Sequence, residues 1–182
     1  MIAYVTSMNE PTTALCKKQL EKNGFLVFVL DKNETLAEKL KRIYNANIEG
    51  SFLRVDADII VNRHMTPEFL ESLYNPDIWW WQFITFDWYK QDVSNSMAFI
   101  TDNALPALKA NIDKHLNSLR PETEMSRLEE FGNPRRFYTY TKQIMGIHGY
   151  GIKNIEPVKE LKKARGQYEQ YDFELAEELN KL

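Results

Sequence analysis

Cysteine, glycine and long apolar runs are all scarce in this sequence, and each scarcity excludes a class of protein. Cys16 is the only cysteine among 182 residues, so no disulfide can form within the chain and we expect a reducing compartment. No run approaches the ~18 consecutive apolar residues that a transmembrane helix needs. Residues 2–6 form a strand-like run without the basic start of a signal peptide. We therefore expect a cytoplasmic protein without a transmembrane segment.

The glycines are too few and too dispersed for a phosphate-binding loop. There are 7, and none follows the first strand-like run closely. This distribution argues against P-loop kinases and disfavours nucleotidyltransferases, which use a glycine-rich loop at that place. The chain also lacks the Gly-x-Ser-x-Gly elbow of α/β-hydrolases. A phosphatase with an aspartyl nucleophile would carry an acidic pair on the first strand, whereas the pair in this sequence, Asp56 and Asp58, follows the third strand-like run.

Positive charge is not in excess either, because the net charge is -3 and the isoelectric point about 5.7. That balance argues against a protein whose main partner is nucleic acid. Hydrophobic residues make up 43% of the chain and charged residues 27%, which is typical of a globular protein. The length suits one domain with a well-formed core.

Strand-like runs and helical segments alternate over residues 1–58. The runs at 2–7, 25–30 and 52–55 are separated by two segments with helical spacing of apolar residues. Thr35 and Glu38 form a capping-box pattern at the start of the second helix. Alternation of this kind predicts a parallel sheet covered by helices.

Two carboxylates, Asp56 and Asp58, directly follow the third strand-like run, and an apolar run resumes after them. If the strand stays extended, both side chains lie on one face. Adjacent carboxylates repel each other unless a positive charge lies between them. A divalent cation with oxygen ligands meets that need and leaves room for phosphate oxygens. The pattern therefore favours binding of a nucleotide diphosphate, although a polar turn at the strand end would have the same sequence.

Polar residues also follow the first and second predicted strands. Thr6 ends the first strand, Asp31 follows the second, and Asp56 and Asp58 follow the third. In open α/β sheets, ligands bind beyond the carboxyl ends of the strands. The three strand ends therefore predict one shared binding edge.

This pattern resembles the GT-A glycosyltransferases, especially the inverting, family-two-like kind, over residues 1–151. The resemblance depends on Asp56-Ala57-Asp58 after a β-α-β-α segment. An acidic segment, residues 122–128, is followed by Gly132, and His148 lies where many members have a late metal-binding histidine. The acidic segment departs from the family pattern, because Thr123 separates two glutamates where members usually have Glu-Asp.

The resemblance implies a Rossmann-type α/β fold, with a mixed, mainly parallel sheet flanked by helices. It also implies transfer of a sugar from a nucleotide-diphosphate donor to an acceptor hydroxyl, with inversion. Residues 1–151 would form this domain, and residues 152–182 a charged helical extension packed on it. A non-catalytic nucleotide-sugar or carbohydrate-binding module, or a nucleotidyltransferase, remains the alternative function.

The resemblance also implies roles for single residues. Asp58 would ligate Mn²⁺ or Mg²⁺, Asp56 would support the metal or the donor's ribose, and His148 would be a third ligand. Thr6 and Asp31 would contact the nucleotide. The general base would be Glu122 or Glu124; Glu124 is favoured because it leads directly into an apolar helix.

All 4 tryptophans lie in an aromatic run over residues 78–89. Aromatic rings dominate protein cores, so core packing is the main interpretation. A sugar-stacking platform is the alternative, with Trp88 and Tyr89 as the pair expected to be exposed.

Overall fold

In the part of the chain that the structure describes, a mixed sheet of eight strands forms the centre of the protein. The computed structural model describes residues 1–31, 33–46, 49–132, 136–150, 156–166 and 173. Within them the strand order is β2-β1-β3-β6-β5-β8-β4, and β7 pairs with β5 beside β8. The strands are β1 Ile2–Thr6, β2 Leu26–Leu30, β3 Phe52–Asp56, β4 Ile59–Val61, β5 Trp80–Asp87, β6 Asp92–Ile100, β7 Phe137–Tyr140 and β8 Gly146–His148.

The first three strands are parallel, as the alternating sequence pattern predicts. Strand β1 pairs with β2 and with β3, and Thr6 lies opposite both Leu30 and Asp56. All three strands therefore end at the same level. Their carboxyl ends share one edge of the sheet, which is where the sequence places the candidate polar residues.

The second half of the sheet corrects the expectation of a mainly parallel arrangement. Strand β6 is antiparallel to both β3 and β5, and β4 is antiparallel to β8. Only residues 88–91 connect β5 to β6. Such a short connection makes a hairpin, because a parallel pair needs a crossover of a dozen or more residues. The sheet is therefore mixed.

Helices cover both faces of the sheet. Strand β1 alternates between two hydrophobic clusters: Ala3 and Val5 face one and Tyr4 faces the other. Thr35 and Glu38 make both hydrogen bonds of the predicted capping box. The helices are α1 Thr13–Lys22, α2 Leu36–Asn45, α3 Pro67–Ser72, α4 Leu105–Asn111, α5 Pro121–Met125 and α6 Glu156–Ala164, with short 3₁₀ turns at Asp102–Ala104, Ile112–His115 and Glu129–Phe131.

The aromatic run is mostly core. Trp80 and Trp81 are buried in the two clusters on opposite faces of β5. Tyr89 is fully buried as well, so the expectation that it is exposed is wrong. Its ring packs against Phe173 of the C-terminal region, a contact that sequence spacing does not reveal.

Helix α6 forms within the segment predicted to be a charged helical extension. The predicted boundary near residue 151 and the extension at residues 167–172 and 174–182 lie outside the described residues. Among the helices that are described, none has the length and apolar character required to cross a bilayer.

Candidate functional site

Asp56 is the last residue of β3, and its carboxylate is held by two neighbours. Thr6 Oγ1 donates a hydrogen bond to Asp56 Oδ1 at 2.8 Å, and Arg54 Nη1 lies 2.8 Å from the same oxygen. Arg54 is two residues earlier on the strand, so both side chains lie on one face. The Arg54 side chain is 4% exposed and that of Asp56 is 33% exposed. A buried guanidinium therefore fixes a carboxylate that opens to solvent.

Asp58 does not continue the strand. Ala57 and Asp58 form a turn between β3 and β4. The alternation of side chains along a strand therefore does not determine whether Asp56 and Asp58 point to the same face. Gly149 N–H donates to the Asp58 carbonyl oxygen at 2.9 Å, which ties the turn to the end of β8. Asp58 Oδ1 is buried and has no hydrogen-bond partner among the described residues. Its other oxygen, Oδ2, lies 3.1 Å from His148 Nε2.

His148 lies between two carboxylates. Its Nδ1 is 3.0 Å from Asp87 Oδ2, at the end of β5, while Nε2 contacts Asp58. Burial alone would lower the pKa of His148, but the two carboxylates outweigh it and raise that pKa to about 10. In turn, although burial opposes it, the His148 charge lowers the pKa of Asp58 and of Asp87. The imidazolium therefore compensates both carboxylates.

Asp87 is a site residue that the sequence interpretation missed. Its side chain is 1% exposed, and Oδ1 accepts hydrogen bonds from the backbone N–H groups of Tyr89 and Lys90. It therefore fixes both the β5–β6 hairpin and His148. The signal that could have identified it is a carboxylate at a strand end, the same signal that identifies Asp56.

Gly149 must be a glycine for two reasons. Its φ is +81°, and a Cβ there would lie 2.5 Å from Tyr89 Cε2. We expect Gly149→Ala to lower the free energy of unfolding by about 3 kcal/mol, through backbone strain and overpacking. Urea unfolding followed by tryptophan fluorescence measures this change.

Gly50→Ala is the matched control, because Gly50 has φ +88° but open space around its Cβ position. Its expected cost is about 1 kcal/mol, from backbone strain alone. Equal costs for the two variants would contradict the close packing of Gly149 on Tyr89.

A cleft of about 500 Å³ opens beside these residues. Asp56, Asp87 and His148 line it, together with Glu122 of α5. Six basic and three acidic side chains lie among the described lining residues, so the cleft is positive although the whole chain is not. The basic ones are Arg54, Lys90, Arg120, Arg127, Lys162 and Arg165.

The two candidate bases occupy different places. Glu122 lines the cleft, and its Oε2 is buried without a hydrogen-bond partner among the described residues. Burial lowers the pKa of Arg54, but the charge of Asp56 and, after it, that of Glu122 help to outweigh burial and raise this pKa. Glu124, which the sequence interpretation favours, is exposed and is not among the lining residues.

The two predicted nucleotide contacts lie at the expected edge of the sheet but outside the cleft lining. Thr6 is buried and its hydroxyl is bonded to Asp56. Asp31 is exposed directly after β2, and its charge acts on the buried Lys39. Lys39 Nζ in turn contacts Met8 Sδ at 3.2 Å in the loop after β1.

Within the described parts of the chain, no group of three or more His, Cys, Asp and Glu side chains has an arrangement that could hold a metal ion. Asp58 and His148 are in direct contact, whereas Asp56 is bonded to Arg54 and Thr6. The side chains of the three predicted ligands are therefore not arranged as a three-ligand metal site.

Comparison with solved structures finds a crystal structure of a glycosyltransferase involved in the glycosylation of the major capsid of PBCV-1. The two are 14% identical in sequence, the TM-score is 0.57, and the match covers 81% of this chain and 92% of the other. At this identity the likeness concerns the fold alone: the protein shares the fold of that glycosyltransferase. No protein-family profile and no curated protein matches the sequence.

Proposed function

We propose that the protein transfers a sugar from a nucleotide-diphosphate donor to an acceptor hydroxyl. One observation carries the proposal: in a fold shared with a glycosyltransferase, one cleft is lined by the strand-end carboxylate of Asp56, by His148 in contact with Asp58, and by Glu122. A donor diphosphate suits the positive cleft. The partly buried carboxylate of Glu122 provides a group that can accept a proton.

A divalent cation, Mn²⁺ or Mg²⁺, fits Asp56 and Asp58 on two counts. Asp58 Oδ1 is a buried oxygen without a described partner, and Asp56 opens into the cleft. Mg²⁺ is usually held by one or two carboxylates plus substrate phosphates, which agrees with the absence of a three-residue cluster among the described side chains. When bound, the cation would stabilise the negative charge of the leaving diphosphate.

In this proposal, His148 does not act mainly as a third metal ligand. Both its ring nitrogens contact carboxylates, so Nε2 can ligate a cation only after losing its proton. With the proton retained, His148 holds Asp58 in place and adds positive charge beside the cleft.

Glu122 is the general base in this proposal. Its carboxylate takes the proton of the acceptor hydroxyl while the acceptor oxygen forms a bond to the anomeric carbon. The bond from that carbon to the diphosphate oxygen breaks, and its electron pair leaves with the diphosphate. Attack opposite the leaving group inverts the anomeric configuration.

The nucleotide would lie at the carboxyl ends of β1 and β2. There Asp31 could accept a hydrogen bond from a base N–H, and it is exposed as that role requires. Thr6 acts through Asp56, because its hydroxyl is bonded to that carboxylate. Loss of the Thr6 hydroxyl would therefore act by misplacing the Asp56 carboxylate and not by removing a direct contact with the nucleotide.

A thermal-shift panel of nucleotide sugars, with and without Mn²⁺, tests this function. Ligands that bind the native state raise the unfolding temperature. We expect one nucleotide class to stabilise the protein, more strongly with Mn²⁺. Binding without release of the nucleoside diphosphate would indicate a non-catalytic binding module, and no stabilisation by any member would contradict the proposal.

A further inference from the structure

We infer that the acceptor is anionic, and that Arg120 and Arg127 bind its carboxylate, phosphate or sulfate group beside Glu122. This inference rests on the proposed function, because it takes Glu122 as the group that meets the acceptor hydroxyl. It adds the chemical class of the second substrate.

The first argument is the charge balance of the cleft. Asp56 is already paired with Arg54, and Asp87 is paired with His148, so these two carboxylates do not neutralise Arg120 or Arg127. Lys162 of α6 lines the same cleft, and its charge acts on Asp58 and Asp87, so it lies on the side of the cleft that holds these two carboxylates. Positive charge therefore remains on the α5 side.

The second argument is the position of the two arginines. Arg120 directly precedes α5 and Arg127 follows it by two residues, so they flank Glu122 in the chain, and all three line the cleft. Both arginines are exposed, and neither makes an ion pair with any residue that the structure describes. A molecule whose hydroxyl reaches Glu122 therefore occupies the cleft that both arginines line.

The third argument is the chemistry of the guanidinium group. Its planar fork of N–H donors matches carboxylate and phosphate oxygens in pairs, and these charge-assisted bonds are about twice as strong as neutral ones. A neutral sugar hydroxyl accepts fewer and weaker bonds from the same group. Two accessible arginines beside the base therefore select an acceptor with negative charge.

The experiment measures binding of acceptor-like probes while the donor position is filled. The nucleoside diphosphate that stabilises the protein most is added to saturation with Mg²⁺, which is diamagnetic and leaves the NMR signals of the cleft observable. Glucuronate, glucose 6-phosphate, glucose 6-sulfate and neutral glucose are then titrated, and binding is followed by NMR shifts of the arginine Nε–H groups. We expect at least one anionic probe to bind about tenfold more tightly than glucose, through charge-assisted hydrogen bonds.

The double variant Arg120→Gln, Arg127→Gln is expected to lose that preference and to bind the nucleoside diphosphate unchanged. The control Arg63→Gln, Lys142→Gln removes two exposed positive charges outside the cleft lining and should keep the preference. Equal binding of charged and neutral probes would overturn the inference. So would anion binding that persists in the double variant.

Binding of the nucleoside diphosphate, measured on the same variants, separates this inference from the proposed function. If the double variant loses the nucleoside diphosphate instead, the two arginines belong to the donor subsite and the inference fails while the function stands. If no nucleoside diphosphate binds the unmodified protein, the proposed function fails, and with it the assignment of the anion as an acceptor.

Discussion

Replacing Glu122 by glutamine is expected to lower kcat for sugar transfer by about a thousandfold, because general base catalysis contributes about 10²–10⁴ in rate. The amide keeps the size of the side chain but cannot take the acceptor proton. Glu122 lines the cleft with a buried carboxylate oxygen that lacks a described partner. Binding of the donor should change little, so the loss should appear in kcat and not in donor KM.

Glu124→Gln is the matched control for this experiment. Glu124 lies on the same short helix but is exposed, so the variant should keep full turnover. The reverse result, with Glu124→Gln inactive and Glu122→Gln active, would assign the base to the residue that the sequence favours. Steady-state rates with a transferable acceptor, or donor hydrolysis in its absence, decide between the two.

Asp58→Asn is expected to weaken Mn²⁺-dependent binding of the nucleoside diphosphate about a hundredfold, since loss of a charged ligand or of its support costs this much in metal sites. The amide oxygen is neutral, and the contact of Asp58 with His148 loses its charge as well. Calorimetric titration with and without Mn²⁺ measures the effect. The part of the affinity that depends on Mn²⁺ should disappear, and the part that does not should remain.

The control for Asp58→Asn is Asp77→Asn, which removes one exposed carboxylate outside the cleft lining. Urea unfolding of both variants shows whether the loss of the Asp58–His148 pair unfolds the protein. Unchanged Mn²⁺-dependent binding in a folded Asp58→Asn variant would remove the metal role of this residue.

The first half of the fold follows from the sequence because local signals agree there. A continuous apolar run predicts β2, and the capping box of Thr35 and Glu38 marks the start of α2. The second half does not follow, because it depends on long-range pairing. Strands β7 and β8 have four and three residues, too few for a clear alternation, and both add to β5.

The strand-end position of Asp56 was predictable, but the detailed geometry around it was not. Asp56 lies at the expected strand end, whereas the turn at Asp58 depends on a hydrogen bond from Gly149, more than ninety positions later. Arg54 could have been found from the two-residue period of β3. Lys162 has no local signal, since only the tertiary fold brings α6 to the cleft.

Which of Glu122 and Glu124 faces the cleft depends on the rotation of α5, and an apolar flank in the sequence does not determine that rotation. In an α-helix, residues two apart point about 200° away from each other around the axis. One glutamate can therefore face the cleft only if the other faces away. Packing of the neighbouring buried Met125 and Pro121 fixes the rotation of α5, and this packing is set by the rest of the fold.

The most direct test of the central claim is the identity of the products formed from the best-stabilising nucleotide sugar in the presence of Mn²⁺. We predict release of the intact nucleoside diphosphate together with free sugar or, with an acceptor, a new glycoside of inverted configuration, as identified by ³¹P and ¹H NMR after the Mn²⁺ has been removed by chelation. Cleavage between the two phosphates, or no release of nucleoside diphosphate from any donor of the panel, would contradict the account.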